Sequence, residues 1–213
     1  MAKIIAIANQ KGGVGKTTTA TNMCAALKLE GKNVLIIDCD AQGNASTGMG
    51  DLKNRTPGIY DILVNGTPAY ECIIKTQYGD VIPSGSALSG VSMQLAVMDR
   101  REYKMRDALK CLYADYDYIL LDCPPSLELL TINCFTAADS IIIPMQCEYY
   151  ALEGIADLLQ TVKLTNKKLN PRLTIEGIIL TMYDKRANLT NQVENELRKF
   201  LGDKVYNTNI PRN

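Results

Sequence analysis

A doubly wound α/β domain on a mostly parallel sheet is what the 213-residue sequence predicts, and three observations carry the prediction. Short runs that are apolar throughout recur along the chain, as expected of strands covered on both faces. Longer stretches with helical spacing lie between them, and strand–helix alternation favours parallel pairing through crossover helices. The first apolar run passes directly into a glycine-rich segment and then into a helical pattern.

Taken in order, residues 4–8 read as the first buried strand and residues 17–30 as a helix, with Gly31 at its C-cap. Residues 34–37 form the second strand. Residues 48–92 carry scattered Gly, Pro, Ser and Asn, and read as surface excursions with short helices rather than as a linker. Residues 118–121, 140–143 and 175–180 are further strands, with helices over 126–137, 152–169 and 189–201. The whole, 1–213, reads as one domain without internal repeats or low-complexity tracts.

Composition narrows the function. With 46% hydrophobic and 22% charged residues, the balance is that of a globular protein. At this length roughly 70% of the unfolded surface can be buried, so no disulfide or structural metal is required. No apolar run approaches the ~20 residues of a membrane span. The N-terminus lacks the features of a signal peptide, and the expected location is cytoplasmic. Most of the seven cysteines, among which no CxxC pair occurs, read as small buried hydrophobes in a reducing compartment. Histidine is absent, which excludes imidazole bases and imidazole metal ligands. Lys plus Arg equals Asp plus Glu, so net charge lends no support to nucleic-acid binding.

The strongest chemical signal is residues 10–18, Gln-Lys-Gly-Gly-Val-Gly-Lys-Thr-Thr. Gly12, Gly13 and Gly15, with Val14 between them, let the backbone wrap an anion, and the amides at the following helix start point at it. Lys16 is suited to neutralise β- and γ-phosphates, and the Thr17 hydroxyl to ligate Mg²⁺. Thr18 is placed to reach an α-phosphate. The competing reading, a glycine-rich turn that binds nothing, is opposed by the flanking strand and helix.

Two strand runs end in carboxylates, at the sheet edge where the loop also lies. Residues 34–37 lead into Asp38-Cys39-Asp40, two acids whose spacing puts them on one face of an ideal strand. Residues 118–121 lead into Asp122, which is suited to hold Mg²⁺ through water. Cys123-Pro124-Pro125-Ser126 then restricts the chain and is placed to sense a γ-phosphate. For each acid the alternative is an ordinary cap or turn residue.

The loop has Gln10 where the common Walker A pattern has Gly, and it carries Lys11 near its start. This form resembles the deviant Walker A class, which includes ParA, MinD and nitrogenase iron protein. Residues 40–46 (DAQGNAS), 121–127 (LDCPPSL), 144–154 (PMQCEYYALEG), 180–186 (LTMYDKR) and 210–213 (IPRN) resemble ParA/Soj partition ATPases in family order. The resemblance implies an ATPase that dimerises face to face over ATP with Mg²⁺. It implies that Lys11 reaches the partner's phosphates, acting like an arginine finger. It further implies that Asp40 orients or activates water and that Asp38 supports the Mg²⁺ shell. Ala41 stands where the family usually has proline, which loosens this segment without removing chemistry. Gln146 and Glu148 are implied near the nucleotide or dimer face, and Met182, Ile210 and Pro211 along the adenine pocket.

Such a dimer is expected to bind DNA without sequence preference, to associate with the nucleoid, and to be stimulated by a ParB-type partner. Candidate DNA contacts are Lys185, Arg186, Arg198, Lys199, Lys204 and Arg212, whose clustering equally suits a solvated face. Family members usually continue for roughly 40 residues past the IPRN segment, within the usual domain range. The expectation is therefore a chain lacking the last strand and helix, with reduced stability and impaired binding. The alternative function is a MinD-like membrane-associated regulator, which requires a C-terminal amphipathic helix. No stable membrane association is expected. A metabolic ATP-dependent enzyme on the same fold ranks below both.

Overall fold

A computed structural model describes residues 1–148 and 151–212, with the backbone alone at 151–153. Tyr149, Tyr150 and Asn213, which belong to two of the family-like segments, lie outside the described residues.

The strands are β1 (Lys3–Ile7), β2 (Val34–Asp38), β3 (Ile74–Thr76), β4 (Gly79–Ile82), β5 (Tyr118–Asp122), β6 (Ser140–Gln146) and β7 (Thr174–Thr181). Among the described residues they form one sheet in the order β3-β4-β2-β5-β1-β6-β7. Every pairing is parallel except β3 with β4. The register sets Ile7 and Asp38 each opposite Asp122, so β1, β2 and β5 end level at one edge.

The helices are α1 (Lys16–Leu29), α2 (Asn44–Gly48), α3 (Val91–Ala96), α4 (Lys104–Leu109), α5 (Leu129–Ala137), α6 (Ala151–Lys168) and α7 (Asn188–Leu201). They leave two buried layers. Ile5, Ile7, Val34, Ile36 and Leu120 pack with Ala20 and Cys24 of α1. Ile4, Ala6, Leu35, Ile37, Ile119 and Leu121 pack on the other face with α3, α4, α5 and α6. Successive strand residues thus enter opposite layers, which is why these runs are apolar without alternation.

The sequence reading of 48–92 as surface excursions is corrected here. The stretch contributes β3 and β4, and β4 is a fully buried strand paired to β2. Its pattern hides it, because Gly79 and Asp80 leave only two apolar residues in the run. Asp80 is tolerated inside because the Tyr116 hydroxyl and the Lys75 ammonium each donate to it at 2.6 Å. Two boundaries moved by three residues. α5 starts at Leu129 rather than 126, after the Pro124-Pro125 restriction. β6 runs through Pro144, because its partner β1 has already ended and no ladder bond is asked of the proline nitrogen on that side.

Candidate phosphate and cation site

The phosphate loop leaves β1 and enters α1 through Gly13 at φ 74 and Gly15 at φ 87, a region open to glycine without cost. No side chain caps α1, so the amides of its first turn are left for an anion. The loop is held from outside. Asn9 Oδ1 accepts from the Lys11 amide at 3.0 Å, while Asn9 Nδ2 donates to the Pro144 carbonyl at 2.8 Å. Gln146 Nε2 donates to the Gly13 carbonyl at 2.9 Å, and Thr181 Oγ1 to the Val14 carbonyl at 2.8 Å. Gln10 Nε2 reaches the Gly154 carbonyl on α6 at 3.0 Å. Val14 is buried; Gly12, Gly13 and Thr18 are exposed at the loop's open side.

Lys16 folds back over the loop, and its ammonium donates to the Lys11 carbonyl at 2.9 Å. Burial draws its pKa below the ordinary lysine value, and Asp122 foremost opposes that shift. A buried cation held on a backbone oxygen is poised to exchange that weak partner for an anion.

The three acids differ in what they already hold. Asp38 and Asp122 continue the strand alternation of Ile36 and Leu120, which puts both on the α1 face. Asp38 is fully buried and accepts from the Ser46 amide at 2.8 Å, the Ser46 hydroxyl at 2.7 Å and the Asp40 amide at 3.1 Å. Burial raises its pKa, against those bonds. Asp40 lies in the turn beyond β2 rather than on its pleat, because the strand stops at Asp38. The ideal-strand premise of the shared-face expectation thus ends at Asp38, while the charge of Asp40 still acts on Asp122 and Lys16. Asp40 Oδ1 accepts from the Gln42 amide at 2.9 Å, and its carbonyl accepts from the Ser84 hydroxyl at 2.8 Å.

Asp122 is 1% exposed. Its Oδ2 accepts from Thr17 Oγ1 at 2.8 Å, and its buried Oδ1 has no partner. Burial first, then the charges of Asp38 and Asp40, push its pKa up to about 7. A buried carboxylate oxygen left unpaired fits a hard divalent cation such as Mg²⁺. Among the described residues no group of three or more Cys, Asp or Glu could hold a metal alone. A cation here must therefore complete its shell with phosphate and water oxygens, as Mg²⁺ does at nucleotides.

The remaining predicted residues divide. The Lys11 ammonium pairs with the Glu148 carboxylate, both about half exposed. Met182, at φ 48, sits beside Ile210 and Pro211, because the Ile210 amide donates to the Leu180 carbonyl at 2.8 Å and Tyr183 bridges Pro211. The basic residues do not form one patch. Lys185, Arg186 and Arg212 gather near the end of β7, and the Arg212 amide donates to the Tyr183 carbonyl. Lys204 donates to the Ile175 carbonyl at the strand's other end, and Lys199 pairs with Glu196 on α7. Arg198 is committed to Glu194 and to the carbonyls of Val205 and Tyr206, a packing role. Asn9, Ser46, Ser84 and Thr181 are parts of the site that sequence reasoning missed; no motif spacing links them to the residues they hold.

The chain matches the family model described as an AAA domain over residues 2–175. It is 50% identical to the chromosome partitioning protein ParA of Caulobacter vibrioides, over 99% of this chain and 81% of that protein. It is 52% identical to the sporulation initiation inhibitor protein Soj of Bacillus subtilis, over 100% of this chain and 85% of that one. Among solved structures it resembles cobyrinic acid a,c-diamide synthase from Mycobacterium smegmatis with bound ATP analog and magnesium. There the TM-score is 0.94 and the identity 33%, over 100% of this chain and 88% of that one.

Proposed function

The chain belongs to the ParA/Soj family of partition ATPases, and on that premise we propose that it is an ATP-driven switch that dimerises and holds DNA during chromosome or plasmid partition. As an ATPase of that family it converts ATP and water to ADP and phosphate. In the proposed cycle, the amides of residues 12–18 and the Lys16 ammonium take the phosphates, Lys16 releasing the Lys11 carbonyl. Thr17 and Asp122 hold Mg²⁺, which supplies charge neutralisation at the β- and γ-phosphates. Asp40 orients the attacking water, the task left to a carboxylate where no histidine exists. Asp38 acts one step removed: it holds Ser46 and the Asp40 amide and so sets the turn that aims Asp40.

Lys11 leaves Glu148 to reach the phosphates of a second copy, and Met182, Ile210 and Pro211 flank the base. The ATP-bound dimer binds DNA through Lys185, Arg186 and Arg212, and a ParB-type protein stimulates hydrolysis and release. The observation that carries the reading is the buried, unpartnered Asp122 Oδ1 beside Thr17, at the level of the phosphate loop. Identity near half over almost the whole chain to partition proteins outweighs the name of the diamide synthase at 33%. No described helix is long and apolar enough to cross a membrane.

The test is binding to arbitrary duplex DNA with ATP and with ADP, in an Asp40→Ala background, over a salt series. ATP-dependent binding that weakens steeply with salt supports the switch. An ATP-bound dimer that ignores DNA overturns the DNA arm and turns the search to a membrane or protein surface.

A further inference from the structure

A cavity lies away from the phosphate loop, on the face covered by α3, α5 and α6. It measures about 550 Å³ and is a trough whose apolar lining is Ala96, Leu129, Ile132, Leu164 and Leu169. The apolar surface does not stop at its rim. Met93 is 79% exposed and Val97 88%, and with Ala96 they follow i, i+3, i+4 spacing along α3 and its C-cap residue. Leu164, across the trough on α6, is 48% exposed. A contiguous apolar strip of this kind, unlike a single exposed side chain, marks an interaction surface.

The borders of the strip are basic. Lys168 lines the trough, and Lys167 and Lys168 neighbour Leu164 three and four residues along the helix. Neither lysine has an ion-pair partner among the described residues. The one acid in the lining, Glu102, is already paired with its chain neighbour Arg101, which also lines the trough. The trough therefore presents a net positive edge around an apolar floor.

We infer that this trough docks an amphipathic helix of a partner protein, with leucine-like residues on one face and glutamate or aspartate along the flank that meets Lys167 and Lys168. The apolar lining between three helices and its basic border match helix-in-groove recognition, in which side chains at i, i+3, i+4 and i+7 enter the trough. A lipid surface would also answer to apolar and basic groups, but a bilayer needs a convex face, and this one is concave between three helices. DNA answers to the cations and not to the floor. The surface is separate from the nucleotide edge, yet α5 begins seven residues past Asp122, so an occupant touches the helix that follows the Cys123–Ser126 segment.

The test uses the whole chain and three probes. The first is a small library of fluorescent helical peptides with leucine at i, i+3, i+4 and i+7 and glutamate on the flanks. The second is the same library with lysine for glutamate. The third is phosphatidylglycerol vesicles. The expected result is saturable one-to-one binding of acidic peptides, about tenfold or more tighter than the lysine set. Leu164→Glu and Val97→Glu, at exposed positions where folding is checked by circular dichroism, should each abolish it, and Lys168→Glu should weaken it with a smaller salt dependence. Equal binding of both libraries, no binding of either, or acidic binding untouched by Leu164→Glu overturns the inference. Vesicle association that depends on Leu164 overturns it in favour of a membrane.

Discussion

Thr17 and Asp122 stand 105 residues apart in the chain and meet through one hydrogen bond, the Thr17 hydroxyl donating to Asp122 Oδ2 at 2.8 Å. The bond leaves Oδ1 of the same carboxylate buried and unpaired. One oxygen thus fixes the side chain and the other stays available for a cation. Asp122→Ala removes both functions. ATP turnover should fall by about 100-fold or more, and the Mg²⁺ concentration needed for half-maximal rate should rise. A magnesium titration of initial rates checks this; unchanged magnesium dependence would remove Asp122 from the cation site.

The same burial has a pH consequence. Asp122 has a folded pKa of about 7, above the ordinary 3.8. Its contribution to stability is therefore fully present below about pH 4 and is lost as pH rises through about 7. Asp122→Asn keeps an acceptor for Thr17 and carries no charge. Without nucleotide or magnesium, the variant should be more stable than the parent by about 1–3 kcal/mol near neutral pH, with the gap closing toward pH 4. Thermal unfolding of both proteins across that range reads the difference.

Ser46 is wholly buried and serves two partners: its hydroxyl donates to Asp38 Oδ2 and accepts from the Ser84 amide at 2.9 Å. Ser46→Ala strands the Ser84 amide away from water and leaves Asp38 Oδ2 with the Ser46 amide alone. The expected cost is about 1–3 kcal/mol in urea unfolding, together with slower hydrolysis because the Asp38–Asp40 turn loosens. A variant of parental stability and rate would show that the Asp38 bonds to backbone suffice.

Lys11 and Glu148 form an exposed pair, and such pairs contribute little, about 0.2–1 kcal/mol. Lys11→Ala should still bind nucleotide but lose ATP-dependent dimerisation and about 10³-fold of the hydrolysis rate, as for a finger supplied in trans. Glu148→Gln frees Lys11 and should tighten the ATP-dependent dimer by no more than about fivefold. Analytical ultracentrifugation with a slowly hydrolysed analogue separates the two.

Arg198 and the pair Lys185 with Arg186 should part company. Arg198→Ala loses bonds to Glu194, Val205 and Tyr206 and should cost about 2 kcal/mol in thermal unfolding. Lys185→Ala with Arg186→Ala should leave stability intact while weakening DNA binding, and should lower the salt slope by about 1–2. Equal salt slopes in parent and double variant would exclude this pair as phosphate contacts.

Much of this was legible beforehand because it is local. The runs into Asn9, Asp38 and Asp122 are short, apolar and end at the sheet edge, and a glycine-rich loop before a helix needs only neighbours in sequence. β4 was not legible, since a strand of four residues holding Gly79 and Asp80 is specified by its neighbours β2 and β3 and by Tyr116, not by its own pattern. The scattered lysines and arginines misled for the same reason: Arg198 looks like a surface cation until its acceptors on the following turn are seen.

The sequence by itself determined the class of fold, the phosphate loop and the three acids, because hydrophobic period and loop chemistry act within a few residues. Only the tertiary structure decided what each acid is free to do. Asp38 is filled by donors from Ser46 and Asp40, Asp40 is aimed by its turn, and Asp122 keeps one oxygen empty. Hydrogen-bond partners and burial depend on which distant segments the sheet register brings together, and no spacing along the chain encodes that.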